Sequence, residues 1–186
     1  MATGEVGGRA VGLGELLRAR EERAARQAAL LARHGRPLLS ATLVMPGPVK
    51  DGPRLRALMD RSEGALAAAT ARAGYAILER DRIDGPTGPE LFLAVDCAAL
   101  ELKRLAVSVE EGEPWGRLLD ADVVSGLSGE VGDASALPVH VRREEVGCAP
   151  RRCLACGEDA AACMAARRHA AAELAAAVAR LLDDAG

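Results

Sequence analysis

Aromatic side chains are nearly missing: Tyr75, Phe92 and Trp115 occur once each and make up 2% of 186 residues. A stacking platform for single-stranded nucleic acid needs several ring faces, so that class of binding is excluded. The core must instead be built from Leu, Val and Ala. Lysine is scarcer still, with Lys50 and Lys103 as the only two among a basic complement otherwise made of Arg. An excess of one charge is also lacking. The 24 Lys+Arg stand against 27 Asp+Glu, a net charge of −3, which excludes a nucleic-acid grip driven by bulk charge. The longest apolar stretch, Leu38–Met45, falls far short of the ~20 residues that span a bilayer. The first residues carry Glu5 and Arg9 without an apolar segment, so no export signal and no membrane partner are expected, and the cytoplasm is the expected compartment. G-x-S-x-G, G-x-x-x-x-G-K-[ST] and G-x-G-x-x-G are all absent, which argues against serine hydrolases, P-loop enzymes and dinucleotide enzymes.

What is present reads as one globular domain. Hydrophobic residues are 49% and charged residues 27%, enough apolar surface for a packed core at this length. Residues 1–12 are Gly-rich and aperiodic and read as a loose leader, with a single domain over 13–186. Leu13, Leu16, Leu17, Ala24, Ala28 and Leu31 recur at helical spacing, with Arg18, Glu22 and Arg26 four apart on the opposite face, and Gly35 and Pro37 end that helix. Leu38–Met45 reads as a buried strand. Pro53 opens a second helix, with Asp51 or Gly52 as cap, that buries Leu55, Leu58, Met59, Leu66 and Ala69 and stops at Gly74. Tyr75–Arg80, Glu90–Val95 and Arg117–Val124 read as strands, and a third helix runs from Asp96 through Leu105 with 106–109 ambiguous. Residues 125–140 read as a flexible Gly/Ser-rich loop, and Asp159–Leu182 as one Ala-rich helix. The expectation is an α+β (or α/β) domain, a mixed sheet with flanking helices.

The sharpest chemical signal is Asp120-Ala-Asp122. On a strand the two carboxylates share a face while Leu119, Ala121 and Val123 take the other. Their Cα atoms then lie roughly 6.6 Å apart, close enough to bind one Mg²⁺ or bridge two. Two carboxylates held together repel, and a divalent cation relieves that; phosphoryl-transfer sites use the pair to neutralise phosphate charge. Arg117, just upstream, could add a bidentate phosphate contact. The plainer alternative is an edge strand with one wet face.

Four of the five cysteines crowd together, and Cys153-x2-Cys156-x6-Cys163-x5-His169 has the spacing of a structural zinc site. One geometric objection applies. On an uninterrupted helix, six steps of about 100° put Cys163 and His169 about 120° apart around the axis. The alternatives are a reduced thiol cluster packed as small hydrophobes, or an anion patch of Arg152, Arg167, Arg168 and His169. Cys97 and Cys148 read as structural.

Several segments in this order resemble one family. They are Leu16-Leu-x-Ala-Arg20-Glu21-x-Arg23-x-x-Arg26-Gln27, Pro46-Gly-Pro-Val-Lys50, Thr87-Gly-Pro-Glu90 and Leu102-Lys103-Arg104. Further on come Glu110-Glu-x-x-Pro114-x-Gly116-Arg-Leu-x-Asp120-x-Asp122-Val123, and Arg152-Cys-Leu-x-Cys156 with Cys163, Arg167 and His169. Together they resemble the citrate lyase holo-[acyl-carrier protein] synthases, also called apo-citrate lyase phosphoribosyl-dephospho-CoA transferases. The resemblance implies transfer of a prosthetic group from triphosphoribosyl-dephospho-CoA to a serine of the apo acyl carrier protein subunit of citrate lyase, with release of pyrophosphate. By analogy the fold is nucleotidyltransferase-like. The chain departs from the family pattern at Ala165 and Ala166, and in the length of its 125–140 loop.

The site residues expected are Asp120 and Asp122 as Mg²⁺ ligands, and Glu110 or Glu111 as the base for the serine proton. Arg117, Lys50, Lys103, Arg104, Arg20 and Arg23 are expected to contact phosphates. Cys153, Cys156, Cys163 and His169 are the candidate zinc ligands. The rival reading is a noncatalytic carrier-binding or zinc-stabilised scaffold protein.

Overall fold

A computed structural model describes residues 8–128 and 137–185. In chain order the elements are α1 (Leu13–His34), β1 (Leu38–Leu43), α2 (Pro53–Arg72), β2 (Ile77–Gly85), β3 (Gly88–Val95) and α3 (Ala99–Gly112). They continue with β4 (Leu119–Leu127), β5 (Pro138–Val141), α4 (Ala160–Ala165) and α5 (Ala171–Asp183). The strands form one sheet in the order β2-β3-β1-β4-β5, antiparallel at every pairing rather than mixed, so the domain is α+β. None of the described helices is long and apolar enough to cross a membrane.

Strand alternation splits the residues between two faces. Leu39, Ala41, Leu91, Leu93, Ala121 and Val123 meet Leu55, Leu58, Met59 and Leu66 of α2 and Leu102 and Ala106 of α3 in the main core. Leu38, Phe92, Ala94 and Val124 point the other way and pack on Leu30 and Leu31 of α1. That second face changes character along its length. One step from the apolar end it carries Ser40 paired with Asp122, then Thr42 paired with Asp120. Helix α1 follows the same gradient one turn at a time. Leu30 is buried, Gln27 donates to the Ser40 hydroxyl at 2.9 Å, and Arg23 reaches Glu90 at 2.5 Å.

Several expectations change. Of the α1 stripe only Leu31 is buried and Ala24 and Ala28 are half-buried, while Leu13 and Leu17 stay on the surface. Arg26 pairs with Asp81 of β2 instead of Glu22. Strand β2 runs past Arg80 to Gly85, and a tight hairpin that turns at Pro86 and Thr87 joins it to β3. The ambiguous 106–109 segment belongs to α3, which begins after Ala98 without a side-chain cap from Asp96. The loop read at 125–140 is paired at both ends, through β4 and β5, and residues 129–136 lie outside those described. Residues 1–7 of the expected leader also lie outside, but Ala10 bridges to Val49 and Val11 is buried, so the leader's last residues dock on the loop after β1.

The largest change is at the C-terminus, where the single helix expected over 159–182 is two. Helix α4 stops at Ala165 and the chain turns through Arg167, whose φ of 46° is the one positive value at a non-glycine among the described residues. Intrinsic helix propensity across the Ala-rich run is overridden there by tertiary context.

Candidate functional site: an acidic pair in a basic cleft

The alternation expected of β4 holds: Leu119, Ala121 and Val123 are fully buried, while Asp120 and Asp122 are half-exposed on the opposite face. The strand is interior by order, flanked by β1 and β5. Strand β5, however, pairs only as far as Val123 with Val141, leaving the outer edge of residues 119–122 without a strand neighbour among the described residues. Side chains satisfy that edge, because buried backbone polar groups need partners. Glu110 accepts from the Ala121 N–H at 2.8 Å, Lys103 donates to the Ala121 carbonyl at 3.1 Å, and Arg151 donates to the Leu119 carbonyl. Lys103 and Glu110 stand seven apart on α3 and therefore share its strand-facing side.

The same groups surround the acidic pair. Arg151 donates to Asp120 Oδ1, the Lys103 ammonium lies 3.8 Å from Asp122 Oδ1, and His140 Nδ1 lies 3.9 Å from Asp122 Oδ2. An open cleft of about 660 Å³ runs along this face between Lys103, Asp120, Asp122, His140, Arg143 and Arg151. A smaller hollow of about 260 Å³ on the α1 side shares Asp120, Asp122 and His140 with it and adds Arg20 and Arg23. Burial pushes the Asp120 carboxyl above its ordinary range; Arg151 opposes this and the neighbouring Asp122 adds to it.

Of the residues expected from sequence, Asp120, Asp122, Glu110, Lys103, Arg20 and Arg23 come together at these two hollows. Both Glu110 oxygens are engaged, one by Ala121 and the other by Arg143 Nη1 at 2.5 Å, while Glu111 is exposed and pairs with the same arginine. Burial also pushes the Glu110 carboxyl up, against Arg151, the Ala121 N–H, Lys103 and Arg143. The other expected cations lie elsewhere. Lys50 donates to the Met45 carbonyl inside its own loop, Arg104 pairs with Glu101 on the exposed side of α3, and Arg117 donates to the Cys156 carbonyl at 3.3 Å.

Sequence reasoning missed Arg151, Arg143 and His140. His140 falls in the expected 125–140 loop, and no periodicity or spacing carries an arginine ahead of a cysteine turn back to a strand. The spacing points to its neighbour Arg152 instead.

The cysteine turn forms a second candidate centre. Residues 151–153 pair with 158–160: Cys153 donates to the Glu158 carbonyl and Ala160 to the Arg151 carbonyl, each at 2.8 Å. Asp159 caps α4 through the Ala162 N–H at 2.7 Å, and α4 returns Cys163 to within 3.6 Å of the Cys156 sulfur. The break after Ala165 removes the 120° objection, since His169 no longer shares a helix with Cys163. One ligand atom each from Cys153, Cys156, Cys163 and His169 now lie within 4.8 Å of one another. His169 Nε2 is buried with no partner, and Nδ1 sits 3.8 Å from the Glu173 carboxylate. Burial and the adjoining thiols Cys156 and Cys153 push the Cys163 thiol up to about 11. The Cys153 thiol is lowered: burial opposes, but the N–H groups of Cys156 and Ala155 stabilise its thiolate. Three soft sulfurs and an imidazole fit a metal ion.

An acidic pair on a sheet face, walled by arginine and lysine in a cleft large enough for a polyphosphate ester, defines a site of the transferase kind. Residues 11–185 match the family described as apo-citrate lyase phosphoribosyl-dephospho-CoA transferase, and the chain belongs to that family. It is 38% identical over 176 residues to the protein of that name from Citrobacter koseri, covering 95% of this chain and 91% of that one. The protein of the same name from Escherichia coli O7:K1 is 37% identical over 175 residues, covering 94% and 90%.

Proposed function

We propose that this chain transfers the phosphoribosyl-dephospho-CoA group from its triphosphate donor to a serine of the apo acyl carrier protein of citrate lyase. The observation that carries the proposal is the pairing of Asp120 and Asp122 on one face of β4 with Lys103, Arg151 and His140 around them. The family relationship names the donor and acceptor classes. In the reaction the serine oxygen bonds to the donor phosphorus nearest the ribose, and the bond from that phosphorus to the departing pyrophosphate breaks.

The two carboxylates are hard oxygen donors, half-exposed and mutually repelling, and fit a magnesium ion. Such an ion, when bound, neutralises charge on the triphosphate. The protein's own cations do the rest. Arg151, Lys103 and Arg143 line the larger hollow and stabilise the departing pyrophosphate, while Arg20 and Arg23 line the smaller. Glu110, with both oxygens engaged, acts as a brace for β4 and Arg143, and His140 takes the serine proton. The three cysteines and His169 hold a structural zinc ion.

The test is to mix the chain, Mg²⁺, triphosphoribosyl-dephospho-CoA and apo carrier protein, then follow carrier mass and pyrophosphate. Both signals are expected for the native chain and neither for a folded Asp120→Asn variant. Full activity in an Asp120→Asn/Asp122→Asn double variant overturns the assignment of the acidic pair.

A further inference from the structure

Between Arg142 and Ala170 the chain crosses the mouth of the cleft with almost no core of its own. Over those 29 residues the only buried side chains are Cys153 and Cys163, with Leu154 packed at the edge of the main core. Helix α4 has six residues, too few to persist alone in water. The left-handed Arg167 adds a local cost on top. A segment this poor in apolar burial needs a staple.

The polar atoms left unsatisfied say what kind. Among the described residues two buried side-chain polar atoms lack a partner, Arg117 Nε and His169 Nε2. Both belong to side chains at the cysteine cluster, because Arg117 donates from Nη2 to the Cys156 carbonyl. A histidine with one bare ring nitrogen and a ligand atom within 4.8 Å of three sulfurs fits a metal ion. A guanidinium against that cluster wants an anion, and three thiolates around a divalent ion leave one net negative charge.

The cluster is tied by backbone to the cleft. The Arg151 carbonyl accepts from Ala160 N at the start of α4, two residues before the first cysteine ligand. The same residue's guanidinium holds Asp120 and the Leu119 carbonyl. We propose that the zinc-bound cluster is a clamp that positions Arg151 against the acidic pair, so that the phosphate-binding cleft is complete only when the metal is in place. This rests on the zinc reading above. Arg151 is thus a positioning target of the metal site, and Arg117 is its counter-charge instead of a phosphate ligand.

The experiment compares native protein, zinc-stripped protein, Arg151→Ala and Arg151→Lys by metal analysis, hydrogen exchange and calorimetric binding of magnesium pyrophosphate. One zinc per chain is expected. Stripping should raise exchange at the Cys153, Ala160 and Cys163 amides while β1, β3 and β4 stay protected. Pyrophosphate affinity should fall about 10- to 150-fold, the loss of one charged hydrogen bond, on stripping or in Arg151→Ala. Stripping Arg151→Ala should weaken binding no further, and Arg151→Lys should recover part of the loss. A stable preparation without zinc overturns the metal reading and the clamp with it. Zinc present with losses that multiply, or with exchange rising throughout the sheet, overturns the clamp and leaves the metal site standing. If native protein ignores pyrophosphate, the transferase reading fails, and exchange at the three amides alone decides the clamp.

Discussion

Glu110 separates two roles that sequence could not tell apart, a catalytic base and a structural brace. Its side chain is 5% exposed, one oxygen accepts from the Ala121 N–H at 2.8 Å, and the other meets Arg143 at 2.5 Å. Glu110→Gln keeps an acceptor for Ala121 and loses the charge facing Arg143, which retains Glu111 and the Ala149 carbonyl. That change should remove one charged hydrogen bond, about 1.5–3 kcal/mol. In a chain of this size the melting temperature should fall by about 3–12 °C. Glu110→Ala also orphans the Ala121 N–H and breaks the buried pair, so the loss should reach about 4–6 kcal/mol. The assay is thermal melting by circular dichroism beside carrier-modification kinetics well below the midpoint. A brace predicts that Glu110→Gln lowers stability while kcat falls less than about tenfold, whereas loss of a general base lowers the rate by about 10²–10⁴. An unchanged melting temperature with a hundredfold loss of kcat would refute the brace.

Two further outcomes follow from the geometry. A Cβ at Gly116 would lie 2.2 Å from the Glu110 carbonyl oxygen and 2.7 Å from its carbon, both backbone atoms, so Gly116→Ala must push the start of β4 away from α3. We expect a loss of at least about 1–3 kcal/mol, visible in denaturant midpoints, and carrier modification that drops with it. The Arg9 guanidinium and then the Gly12 N–H hold the Glu15 carboxyl at about 2, below its ordinary 4.5. Because this pKa is depressed on folding, the stabilisation is complete above about pH 4.5 and is lost as pH falls toward 2. Glu15→Gln should therefore lower the melting temperature slightly near neutrality and leave it unchanged at pH 2. An equal effect at both pH values would contradict the pairing.

What could be read from the sequence is whatever depends on residues near one another along the chain. The ends of α1 and α2, the burial of Leu38–Ala41 and the shared face of Asp120 and Asp122 follow from turn residues, apolar spacing and the two-residue period of a strand. Lys103 and Glu110 stand out through the family motifs, whereas their shared side of α3 depends on the helix running on past Leu105 to Gly112. Tertiary structure alone decided which cations reach the acidic pair. Lys50, Arg104 and Arg117 belong to the same set of motifs yet face their own loop, a helix neighbour and the cysteine turn. Arg151 arrives from 31 residues away to satisfy a strand edge that β5 leaves open. The break of the Ala-rich helix at Arg167 belongs to the same class. Local propensity favours one continuous helix, and the turn instead brings a ligand atom of His169 within 4.8 Å of the sulfurs of Cys153, Cys156 and Cys163.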